Sequence, residues 1–128
     1  MRSISITMVL AISTVMIGCG GSFHSRVQAG KQALRTPAGK VYEKSLAPTI
    51  GRAMRECLPP GSPPQYGGFT VVADVNMAGT VMSVKVEPST TASRCFAEKI
   101  SMVTLPAPPL EERGFELFPV TIEMQVVP

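Results

Sequence analysis

His24 is the sole imidazole in the sequence and Asp74 the sole aspartate, so a Ser-His-Asp nucleophile would need a polar N-terminal stretch to meet a strand. The glutamates offer no better pair. Glu111 and Glu112 are adjacent in a loop, and Glu43, Glu56, Glu87, Glu98, Glu116 and Glu123 are spread along the chain. Acid/base catalysis instead needs carboxylates opposed around a substrate. Gly67-Gly68 lacks the Lys-Ser/Thr of a phosphate loop and precedes a strand rather than a helix. Cys19, Cys57 and Cys95 contain no C-x-x-C, the spacing a redox site uses. A zinc site built on two of them would lack two further ligands. Nothing singles out a Ser-Lys dyad. This inventory predicts a protein that is not an enzyme and carries no metal or cofactor.

The elements that position these residues must fit into 128 residues, which is one domain. Apolar residues make up 45% but Trp is absent, so the core is expected to be aliphatic and Met-rich. The net charge of +3 is scattered rather than clustered, which argues against a nucleic-acid partner.

The first nineteen residues stand apart. Met1-Arg2 is followed at positions 4–17 by an uncharged, largely apolar run. It is shorter than the roughly 20 residues a bilayer span needs, but suits the core of an export signal. Met16-Ile17-Gly18-Cys19 resembles the lipobox of bacterial lipoproteins, with Met16 where the family usually has Leu. The resemblance implies cleavage after Gly18, acylation of Cys19 and attachment to a lipid bilayer. Two or three acyl chains hold a protein stably where one does not. Gly20 is not the acidic residue that retains such proteins at the inner membrane of enteric-type bacteria. The expected location is therefore the cell envelope, at the outer membrane facing the periplasm. The alternatives are an ordinary cleaved signal with an incidental Cys, or a buried helix.

The expected organisation is a signal peptide over 1–18, a flexible tether over 19–40 and a folded domain over 41–128. As a coil the tether would span roughly 25 Å, and His24 lies in it as a solvated side chain. A helix is predicted over 44–57 from the stripe Leu46, Ile50, Ala53, Met54 and Cys57, with Pro48 in its first turn. Alternation predicts a strand over 69–77, a tight turn at Ala78-Gly79, and a second strand over 80–87 with Met82, Val84 and Val86 on one face. A short helix over 92–102 follows, capped by Thr91 and facing Phe96, Ile100 and Val103 inward. Phe118, Val120, Ile122, Met124 and Val126 predict a last strand over 116–127. The fold class is α+β, in the order α-β-β-α-β. Three antiparallel strands form the sheet and both helices pack on one face. Thr70, Asp74, Asn76, Ser83 and Lys85 would then face water.

Val81-Met82-Ser83-Val84-Lys85-Val86, the helix with Cys95-Phe96, Leu105-Pro106-Ala107-Pro108 and Phe118-Pro119-Val120 together resemble the TonB C-terminal fold. They are most similar to its variant in gliding-motility and envelope proteins of myxobacteria, across residues 45–127. In that variant one Cys ends the first helix and another lies in the second, which Cys57 and Cys95 match. With Cys19 acylated, these two remain as an even pair in an oxidising compartment. A disulfide, two reduced thiols and a metal pair are the three readings of them. The chain departs from energy transducers of the TonB type. Those carry an N-terminal transmembrane helix with a His and a long Pro-rich reach. Here the apolar run is short, holds no His and is expected to be cleaved, and the expected tether is short, so transduction of proton-motive force is not expected.

The function expected from these readings is that of a non-enzymatic binding or assembly module. In TonB-like domains a sheet edge accepts a partner strand, and Thr121 and Glu123 are the candidate edge residues here. The partner would be an envelope protein. Two alternatives are a small-ligand-binding protein with the loop 105–109 as one wall of its pocket, and a structural tether with no specific ligand.

Overall fold

A computed structural model describes residues 22–58, 68–109 and 117–124. The proposed signal peptide, Cys19, Glu111, Glu112 and the end of the last predicted strand lie outside the described residues. Six elements run along the chain: α1 (Phe23–Arg35), α2 (Pro37–Cys57), β1 (Phe69–Asn76), β2 (Val81–Glu87), α3 (Thr91–Met102) and β3 (Leu117–Met124). The three strands form one antiparallel sheet in the order β2-β1-β3. The mixed α+β class and the three-stranded antiparallel sheet are as expected.

One face of the sheet carries Phe69, Val71, Ala73 and Val75 of β1 with Phe118 and Val120 of β3. These pack on Tyr42, Leu46 and Ala53 of α2 and on Phe96 and Ile100 of α3. Each large side chain buried here contributes about 1.5–3 kcal/mol. Phe69 meets Phe96 at 5.7 Å between ring centroids, and Tyr42 meets Phe118 edge-on at 5.3 Å. α3 starts at a capping box, in which the Thr90 hydroxyl accepts from Ser93 N–H and the Ser93 hydroxyl accepts from Thr90 N–H. The cap therefore falls one residue earlier than Thr91.

The main correction concerns the expected tether. Residues from Phe23 onward are helical, and α1 with the first turns of α2 replaces the coil expected up to residue 40. Ser22 caps α1 by accepting from Ser25 N–H at 3.1 Å. The docking residues of α1 are small: Gly30 and Ala33 are its buried positions. A helix that packs through glycine and alanine shows no broad apolar stripe, so periodicity missed it. α2 likewise begins seven residues before position 44. The Thr36 hydroxyl accepts from Gly39 N–H and Pro37 occupies the first helical turn, a strong start. Pro48 is thereby placed in the helix interior rather than its first turn. Its missing N–H removes one backbone bond to the preceding turn.

The two predicted helices share one sheet face, but the other face is not open to water throughout. α1 lies on it. Val72, on the second face, is 1% exposed and stands outside the main core cluster. Arg26 of α1 donates to the Asp74 carboxylate at 3.5 Å and to the Ser83 carbonyl at 2.6 Å.

β2 departs from the expected alternation. Its register against β1 passes from Val72↔Lys85 to Asp74↔Met82, so Ser83 and Val84 together oppose Ala73. This bulge, with Ser83 at φ 54°, switches the facing of the strand. Val81 is buried and Met82 faces out, whereas Val84 and Val86 beyond the bulge pack on the core. Met82 is thus not on the face of Val84 and Val86. The turn behaves as expected: Gly79 has φ 82°, and a side chain there would collide with the Leu105 carbonyl.

Candidate functional site

The outer edge of β3 is defined by the ladder. Asn76 N–H donates to Thr80 O, so Asn76 bonds toward β2. Alternation then turns the backbone groups of Phe69, Val71, Ala73 and Val75 toward β3. Their partners Met124, Ile122, Val120 and Phe118 bond inward. Leu117, Pro119, Thr121 and Glu123 are left with outward-pointing backbone groups. Pro119 has no N–H to present there, which fits an edge position.

The structure treats the two expected edge residues differently. Thr121 is 8% exposed, and its hydroxyl donates to Val27 O of α1 at 3.0 Å. A Cβ on Gly30 would overlap the Thr121 hydroxyl and come within 2.7 Å of its backbone N. α1 therefore crosses the edge of β3 at Thr121, and Gly30 is what allows the approach. Thr121 is not available to an added strand while α1 stays docked. Glu123 lies beyond the crossing. Its side chain is half exposed and pairs with Lys31 at 2.8 Å.

Beside Glu123 runs a groove of about 330 Å³ between β3 and α2, with Leu46, Ala47, Ile50 and Gly51 as one wall and Ile122 and Met124 as the other. Leu34 of α1 closes one end. The groove continues into a charged cleft of about 390 Å³ lined by Lys31, Arg35, Lys40 and Glu43. Leu34 carries no sequence signal, and for Gly51 the one available signal is a glycine inside an apolar helical stripe.

A separate cleft of about 450 Å³ lies between α2 and the Pro-rich loop, where Ala38, Val41, Tyr42 and Ser45 face Pro106, Ala107 and Pro109. Tyr42 ties its floor by donating to Pro106 O at 2.9 Å, and burial pushes the phenol up to about 12.

The cysteines resolve one set of readings. Cys57, at the end of α2, and Cys95, in α3, form a disulfide with Cα atoms 5.7 Å apart. Asp74 is engaged by Arg26, while His24 is exposed on α1. Among the described residues no cluster of His, Cys, Asp or Glu could hold a metal ion, and no helix is long and apolar enough to cross a membrane. No protein-family model matches this chain, and no curated protein or solved structure matches it.

Proposed function

We propose that this chain is a non-enzymatic envelope lipoprotein, anchored through acylated Cys19, whose domain binds an extended segment of an envelope protein. In this reading α2 to β3 is a TonB C-terminal-like unit and α1 is an addition laid across its sheet. One observation carries the binding reading: an apolar groove runs beside the stretch of β3 where Glu123 presents outward backbone groups. A segment seated there gains main-chain bonds from Glu123 and side-chain burial against Ile50 and Met124. The closed half, at Pro119 and Thr121, keeps the edge from pairing indiscriminately.

Two variants test this. Glu123→Pro removes an outward N–H and the exposed Lys31 ion pair but no inward backbone group, so the β1–β3 ladder survives. Gly51→Leu fills the groove at a site where a new Cβ meets only the end of the Arg55 side chain. Both variants are expected to fold, and both are expected to lose the proteins that crosslink to the acylated wild type at the membrane. The same crosslinked proteins recovered with two folded variants would refute the groove as the binding site.

The cleft beneath the Pro-rich loop supports a second reading, a small apolar ligand held between Val41, Tyr42 and Pro109. A ligand retained in native mass spectrometry, and lost in Val41→Arg, would favour it.

A further inference from the structure

We infer that the hairpin-end half of the second sheet face is a membrane-contact surface, seated on the lipid bilayer that holds the acyl chains of Cys19. The inference rests on the lipoprotein reading and adds an orientation to it.

Met82 of β2 and Leu117 of β3 flank β1, opposite Asp74 and Asn76 respectively, and Met77 begins the turn that follows. These three side chains are 40%, 38% and 72% exposed; Val41 of α2 and Met102 of α3 are the other exposed large apolar side chains among the described residues, and only these three lie on the strands or their hairpin. Strand spacing and a two-residue offset put Met82 and Leu117 about 12 Å apart across β1. The strand positions around them are uncharged apart from Asp74, which Arg26 engages. The opposite half of the same face is charged, with Lys85, Glu87, Glu123 and Lys31. One face thus divides into an apolar half and a charged half.

The chain start identifies the occupant. Arg26 places the first turn of α1 on this face, against Asp74 and the Ser83 carbonyl. Ser22, the cap of α1, is four residues before Arg26, about 6 Å along the axis. Cys19 is three residues further, a reach of at most about 10 Å. An acylated Cys19 therefore draws this face, rather than the α2–α3 side, toward the bilayer. Methionine side chains adapt readily to an irregular lipid surface. The groove at Glu123 opens between β3 and α2, at the end of β3 opposite Leu117 and away from the lipid.

The test uses the full acylated protein in vesicles of phosphatidylethanolamine and phosphatidylglycerol. Nitroxide labels are placed at Met77→Cys, Met82→Cys and Leu117→Cys, with Lys44→Cys on α2 as the reference. Labels at 77, 82 and 117 are expected to be shielded from a water-soluble nickel chelate and open to oxygen, while the label at 44 behaves as in solution. Equal chelate access at all four sites overturns the inference and leaves the anchor intact. Shielding that grows with protein density, with spin coupling between copies, also overturns it, because a second copy would then cover the patch. The intact mass of each preparation reports acylation, and an unacylated mass removes the anchor and the inference together.

Discussion

At the scale of single residues, two backbone positions bear directly on the site. Gly30 is where the α1 backbone comes close to Thr121 of β3, and its missing Cβ is what lets the Thr121 hydroxyl reach Val27 O. Gly30→Ala is expected to destabilise the protein by about 2–3 kcal/mol, as over-packing does. Chemical denaturation measures this, and a loss below half a kcal/mol would mean α1 docks elsewhere. Ser83 shows the opposite case. It holds φ 54° in the bulge, a conformation that costs a residue with a Cβ about 1 kcal/mol or more. Its carbonyl, taken out of the ladder, accepts from Arg26. Ser83→Gly keeps that bond and relieves the strain, so its denaturation midpoint should rise.

At the scale of elements, α2 and α3 are held together by the Cys57–Cys95 disulfide across a sequence separation of 38 residues. Closing such a loop in the unfolded chain stabilises the fold by about 4 kcal/mol in the chain-entropy model. The Cys57→Ser/Cys95→Ser variant is expected to melt well below the parent and to show no further loss on adding reductant. Because the bond sits on the side of the helices away from β1's second face, the variant should keep the α1–β3 packing while folded. Protection of the outward Thr121 amide, which Gly30 of α1 covers, from hydrogen exchange would report that.

At the scale of the whole molecule, Tyr42 joins three parts: α2, β3 through Phe118, and the Pro-rich loop through Pro106. Its phenol is pushed up to about 12 by burial, against an ordinary value of 10. The folded protein therefore keeps the proton more tightly than the unfolded chain. The stabilising contribution is complete below pH 10 and is lost as pH rises toward 12, with a slope of at most about 1.4 kcal/mol per pH unit. Tyr42→Phe should flatten that alkaline loss, which thermal melts across this range would detect. Unchanged alkaline sensitivity would assign it to another group.

The sequence alone determined the hairpin, α3 and β3 closely, because alternation and a strong turn signal leave little choice when one face must be buried. It also determined the inward stripe Leu46, Ile50 and Ala53, and left Cys57 and Cys95 as an even pair that the structure shows to be a disulfide. Tertiary structure decided what the second face of the sheet does. α1 docks through Gly30 and Ala33, and small residues give no hydrophobic period to read; their value appears only where another backbone comes close. Tertiary structure also decided the parity of β2, since one extra residue at Ser83 reverses which side chains face the core. The same packing divided the expected edge. Thr121 and Glu123 are alike in the strand pattern, yet α1 covers one and leaves the other beside a groove, because the close backbone approach that Gly30 permits falls at Thr121, whereas Glu123 meets only the Lys31 side chain.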